Sequence, residues 1–211
     1  MILALDTTGE IFSICLMRSD GSYALKEVDT SRKHGTLLPL VLDQLLLTLE
    51  KNATDISQIV LVNGPGSFTG LRVGASFIKG IVVANELPVA VCSRLQAVLA
   101  PFHNFPLPVI ALCDAKRSQV YCRGLGVTSL ADDCVLSVTE LAGQLPYEFF
   151  LCGTLPADFA PLLQKHRVYN LPWGSTALNA ALLLKTNALD TRLKGEVPLH
   201  YIRKSQAEEA I

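Results

Sequence analysis

Half of the 211 residues are hydrophobic and 18% are charged, a composition that excludes a disordered chain and is enough for one large core or two small ones. The net charge of −1 leaves no basic footprint of the kind that direct nucleic-acid binding needs. No apolar run approaches the roughly 20 residues that cross a bilayer, and the opening MILALDTT lacks the basic residues and cleavage site of a leader, so a cytoplasmic protein without membrane attachment is expected.

The first thirty residues read as three short strands: ILALD, then IFSICLM after Thr8-Gly9-Glu10, then SYALKEV after Asp20-Gly21. Two tight turns in succession predict an antiparallel meander. From about 36 to 49 the spacing becomes helical, with Leu38, Leu42, Leu45 and Leu49 repeating at three and four and Pro39 in the first turn. QIVLVNG is a continuous run rich in β-branched residues, suited to a strand buried on both faces. It feeds the segment NGPGSFTGLRVG and a second helix over about 71–85. Residues 1–105 therefore read as a β-β-β-α-β-α lobe. Three prolines in PFHNFPLP mark a boundary. Beyond it, VIALCDAKRSQVYCRGL offers two strands around an aspartate turn, a weak echo of ILALDTTGEIFSICLM. TELAGQL and PADFAPLLQKH read as short helices, EFFLCG as a strand and TALNAALLLKTN as a helix, so residues 106–211 form a smaller, truncated second lobe.

Gly66 and Gly70 have three residues between them and are followed by Leu71-Arg72, which fails both the nucleotide P-loop and the dinucleotide fingerprint. Two readings of this helix-entry loop, Gly64, Gly66, Ser67, Thr69 and Gly70, stay open. Its amides bind an anion at a helix N-terminus, or its glycines permit close packing. Ser67 and Thr69 are expected to cap the second helix, and no G-x-S-x-G elbow makes Ser67 a nucleophile. The aspartate turns LDTTGE and CDAKRS have the form used by actin, the sugar kinases and Hsp70 to hold magnesium and nucleotide phosphates. Neither carries glycine two residues after its aspartate, so Asp6, Thr7, Thr8 and Asp114 are candidates for a degenerate nucleotide site. The six cysteines form no C-x-x-C pair and are expected to be buried and reduced.

At 100° per residue, Leu37, Leu38, Val41, Leu42, Leu45, Leu46 and Leu49 fill one half of the first helix, while Leu40 and Leu47 stand opposite. The second helix has one stripe of Leu71, Ala75, Ile78 and Val82 and another of Val73, Phe77, Ile81 and Ala84, with Arg72, Ser76 and Lys79 as its polar edge. Two such pairs could pack as a four-helix bundle, which makes Leu40, Leu47, Val73, Phe77 and Ile81 candidate interface residues. The alternative is that both stripes are buried inside the lobe.

LALDTT, SRKHGTLLPLV, NGPGSFTGLRVG, CDAKRSQVY and HYIRKSQAEEA together resemble the TsaB (YeaZ) family of the bacterial threonylcarbamoyladenosine tRNA-modification system. The resemblance implies an α/β, two-lobe actin-like ATPase (ASKHA) fold, each lobe a mixed sheet with helices. It also implies a subunit that is not catalytic by itself, a required component of the complex in which a TsaD-type enzyme threonylcarbamoylates adenosine 37 of tRNAs reading codons that begin with A. The resemblance further implies a TsaE-type ATPase as partner and a TsaC-type enzyme that supplies the threonylcarbamoyl adenylate. It implies a homodimer when TsaD is absent, both assemblies using these helices, with tRNA met only through the complex. No metal or cofactor is expected to be held stoichiometrically, ATP and magnesium being used by the assembled complex. TsaD carries a helical His-x-x-x-His metal pair whose positions fall here on Arg94 and Val98, which cannot replace imidazoles. His34 has Leu38 at i+4, and His103, His166 and His200 are scattered. The competing expectation is an independent Mg-ATP-dependent phosphotransferase or ATPase using Asp6 and Asp114.

Overall fold

The computed structural model describes residues 1–29, 34–153, 156–190 and 197–199, and the chain divides into two compact units. The first takes in Met1–Ala97 and the described residues from Gly174 onward; the second is Val98–Trp173. Among the described residues no helix is long and apolar enough to cross a membrane.

The first unit holds strands β1 (Ile2–Asp6), β2 (Ile11–Met17), β3 (Tyr23–Asp29), β4 (Gln58–Val62) and β5 (Val89–Cys92) in the order β3-β2-β1-β4-β5. The expected meander is present: β1 and β2, then β2 and β3, pair antiparallel, while β4 lies parallel to β1 and to β5. Alternating side chains send Leu3 and Leu5 to one face and Ile2 and Ala4 to the other, and both faces are covered, so ILALD is buried along its whole length. Helices α1 (His34–Thr48) and α2 (Phe68–Asn85) cover the first face, with Leu38, Val41, Leu42, Leu45, Leu46, Ile78 and Val82 packed on Leu3, Leu5, Phe12, Ile14 and Leu16. Both helices begin earlier than their periodicity predicts. Pro39 consequently lies in the second turn of α1, not the first.

The helix α6 (Thr176–Lys185) corrects the expected boundary at 105/106, because it covers the second face of the first sheet. Ala177, Ala180, Ala181 and Leu184 meet Ile2, Ala4, Cys15, Val60 and Val62 there. Three alanines on one helix face let the backbone come close, which is the physical reason for the return. The helix α3 (Arg94–Leu99) carries the chain from the first unit toward the second.

The second unit holds β6 (Val109–Lys116), β7 (Gln119–Leu125), β8 (Cys134–Ser137), β9 (Glu148–Gly153) and β10 (Arg167–Asn170), in the order β10-β9-β6-β7-β8. With β6 set in the place of β1, this is the order of the first sheet again, with the same antiparallel and parallel pairings. The weak sequence echo is thus a full topological repeat, and the sheet of the second unit is not truncated. Its helices are: α4 (Val138–Ala142) and α5 (Ala160–Leu163) have five and four residues where α1 and α2 have 15 and 18. Strands β5, β8 and β10, absent from the sequence reading, complete the two sheets.

Candidate functional site

The β1–β2 turn and the glycine loop are built against each other. A Cβ added to Gly66 would overlap the Thr8 carbonyl oxygen, one on Gly70 the Thr7 carbonyl oxygen, and one on Gly74 the Thr7 hydroxyl. Thr7 Oγ1 donates to the Gly70 carbonyl at 2.8 Å, and the Ser67 amide donates to the Thr8 carbonyl at 2.7 Å. The glycines therefore allow backbone to meet side chain and backbone, and Thr7 and Thr8 fill the space that a cradle would leave. Gly64, at φ 125°, supplies the left-handed step at the end of β4. Ser67 is the N-cap of α2, its hydroxyl accepting the Gly70 amide at 3.3 Å. Thr69, expected to share that role, lies inside the helix and is exposed, because α2 starts at Phe68.

Asp6 is only 3% exposed, and each carboxylate oxygen has a protein donor. The Thr8 amide donates to Oδ1 at 2.7 Å and the Thr176 hydroxyl donates to Oδ2. The α6 terminus is held further by Ser13, whose hydroxyl accepts the Ala177 amide at 3.3 Å and lies 3.4 Å from Thr176 Oγ1. A carboxylate at a helix N-terminus is electrostatically favoured. The geometry does not fit a magnesium nucleotide, since Asp6 is engaged on both oxygens and the loop beside it is filled. Thr176 and Ser13 escaped the sequence reading. Ser175-Thr176 before an apolar run signals a helix start, but nothing local pairs it with Asp6, 170 residues away.

In the second unit Asp114 makes the corresponding turn, accepting the Lys116 amide at 2.7 Å and the Lys116 ammonium at 2.6 Å. The Lys116 hydrogen bond holds its carboxyl below the usual range. Lys116, Arg117 and Ser118 follow with φ of 63°, 54° and 53°, and the ladder shifts register between Asp114 and Lys116.

Arg94 opens α3 with its amide on the Gly64 carbonyl at 2.6 Å, and its guanidinium lies against Gly9, where an added Cβ would be 3.1 Å from Nη2. Val98, one turn on, is buried. Among the described residues no three His, Cys, Asp or Glu side chains come together in a way that could hold a metal ion. His34 begins α1 and its side chain lies outside the description, as does His200.

The helix surface is the other candidate. Leu40 and Leu47 are 57% and 77% exposed on the outer side of α1. Val73, Phe77 and Ile81 are half-buried and packed against the core of the first unit. Val73 and Phe77 line a shallow cleft of about 430 Å³ with Gly35, Leu38, Arg72 and Ser76. The outward stripe of α2 is instead Thr69, Arg72, Ser76, Lys79, Gly80 and Val83, the last 69% exposed. Val83 was missed, although its spacing of seven from Ser76 places it on that stripe.

The family model described as TsaD, tRNA N6-adenosine threonylcarbamoyltransferase, matches residues 28–149, more than half of the chain. The tRNA threonylcarbamoyladenosine biosynthesis protein TsaB of Escherichia coli (strain K12) is 34% identical over 122 residues, covering 57% of this chain and 52% of that protein. TsaB of Bacillus subtilis (strain 168) is 31% identical over 120 residues, with the same two shares. The chain belongs to the TsaB (YeaZ) family. It spans about half the length of the curated relatives it matches. A solved Pseudomonas aeruginosa protein, described as similar to peptidase YEAZ, superposes with a TM-score of 0.74 at 22% identity, over 96% of this chain and 99% of that one. That likeness concerns the fold. With the repeated sheets it gives the two-lobe actin-like ATPase (ASKHA) fold that the resemblance implied.

Proposed function

We propose that this chain is a non-catalytic subunit that binds and activates a TsaD-type enzyme in the threonylcarbamoylation of adenosine 37 of tRNAs reading codons that begin with A. The observation that carries the reading is the pair of exposed leucines, Leu40 and Leu47, at 57% and 77% exposure on a helix inside the family-matched segment. An apolar pair on the outer side of a helix whose inner side already packs the core is a contact surface awaiting a partner. Val73, Phe77 and Ile81 support that surface from the cleft side. In this reading Asp6 and Thr176 join α6 to the sheet, and the ATP and magnesium of the reaction are handled by the assembled complex with a TsaE-type ATPase. A second copy of the chain takes the same surface when the TsaD-type partner is absent, and tRNA is met through the complex.

The test is a tRNA-modification assay with the TsaD-type protein of the same organism, each component left out in turn, and with Leu40→Glu and Leu47→Glu chains. Both variants are expected to stay folded and to lose co-purification and activation together. Full activation by folded Leu40→Glu and Leu47→Glu chains would overturn the interface. ATP turnover by the isolated chain that Asp6→Asn abolishes would replace the reading with that of an independent ATPase.

A further inference from the structure

Cys122 on β7 and Cys134 on β8 are directly opposite residues of an antiparallel ladder. Such residues project to the same face with Cα atoms about 4.5 or 5.5 Å apart, depending on the pair type. Both spacings lie inside the roughly 4.4–6.8 Å span of a disulfide. Cys122 is fully buried in the core of the second unit, and Cys134 packs half-buried against the same cluster. With both thiols protonated, Cys134 Sγ donates to the Cys122 carbonyl at 3.4 Å. A hydrogen bond from the Cys122 thiol holds the Cys134 thiol below its ordinary value, and the same bond, with burial, pushes Cys122 up. Asp133 opposes ionisation of Cys134, but its own charge is matched by Arg123 at 2.9 Å. The thiol held low is therefore on the residue of the pair that is partly exposed. No other strand cysteine has a cysteine opposite it in its ladder: Cys15 faces Ala4 and Leu25 and Cys152 faces Ala111, burial pushing these two up to about 12 and about 11, while Cys92 faces Val62 and Cys113, whose charge opposes ionisation of Cys122, faces Tyr121.

We propose that Cys122 and Cys134 form an oxidative modification site, which hydrogen peroxide converts to a cross-strand disulfide and a dithiol restores. The Cys134 thiolate attacks one peroxide oxygen, the O–O bond breaks, and the departing hydroxide takes a proton to leave as water, giving a sulfenic acid. That step removes the Cys134 charge that held the Cys122 proton. Cys122 sulfur then attacks the Cys134 sulfur, its proton goes to the leaving oxygen, and a second water departs. Two thiols are oxidised by two electrons and one peroxide is reduced. The bond pins the four-residue edge strand β8 to β7 and closes the intervening segment, which includes the short turn Thr128–Leu130. This inference does not depend on the proposed function.

The experiment exposes the reduced 211-residue chain to hydrogen peroxide, blocks free thiols by alkylation and digests with trypsin and Glu-C. Cleavage after Arg117, Arg123, Glu140 and Glu148 leaves Cys122 in residues 118–123, Cys134 in residues 124–140 and Cys152 beyond Glu148. The expected major product is the peptide pair 118–123 and 124–140 joined by a disulfide, lost after dithiothreitol. Cys122→Ala should instead accumulate a dimedone-reactive sulfenic acid at Cys134, and Cys134→Ala should give neither product. Recovery of both cysteines alkylated after peroxide, or cross-linking dominated by Cys113 or Cys152, overturns the proposal. The wild-type peptide map decides this even if a variant fails to fold.

Discussion

Asp6 accepts from the Thr8 amide and the Thr176 hydroxyl in a buried setting, so deleting its carboxylate leaves two donors without an acceptor. Each stranded group costs about 1–3 kcal/mol, and Asp6→Ala is expected to lower stability by about 2–4 kcal/mol in urea unfolding. Asp6→Asn keeps an acceptor for Thr8 and offers Thr176 a donor, so its loss should stay within about 1 kcal/mol. A carboxylate kept for magnesium would show the opposite pattern, with stability unmoved by Ala. The glycines give a second contrast. Gly70→Ala forces a methyl into the Thr7 carbonyl and should cost about 1–3 kcal/mol. Gly80→Ala meets nothing within 4 Å on an exposed helix position and should gain about 0.5–1 kcal/mol, measured in the same denaturant series.

The elements that were legible in the sequence are those whose pattern is local and long. The meander, α1, α2 and α6 follow from turn residues and 3.6-residue spacing, and Leu40 and Leu47 were separable from the core stripe by angle alone. Strands β5, β8 and β10 have four residues each, too few for alternation to declare itself. On α2 the periodicity reveals two apolar stripes but not which of them turns toward α1; the stripe of Val73 and Phe77 is the one that lines the crevice beside Gly35 and Leu38. The consequence is measurable. Leu47→Glu should change the unfolding free energy by less than about 0.5 kcal/mol, whereas Phe77→Glu, whose ring packs on the core of the first unit, should cost more than about 1 kcal/mol. Equal losses would mean that α1 is covered within the chain itself.

At the scale of the molecule, among the described residues the chain enters the second unit after Ala97 and leaves it before Gly174, so that unit is an insert within the first. No local signal carries that information, because it resides in contacts such as Asp6 with Thr176. A fragment ending at residue 105 lacks α6 and bares Ala4, Cys15, Val60 and Val62 on one face of its sheet. It is expected to be insoluble or to bind a hydrophobic dye, by circular dichroism and fluorescence, and to recover structure when a peptide spanning 174–190 is supplied. A soluble, cooperatively unfolding 1–105 fragment would show that α6 is dispensable. The same path has a consequence for biosynthesis. A ribosome delivers the first five strands early, yet the helix that seals them emerges only after the whole insert. Chain order and folding order should therefore be inverted: the later-made unit, whose described residues all fall in the single stretch from 98 to 173, can close while the earlier one still waits with an open face.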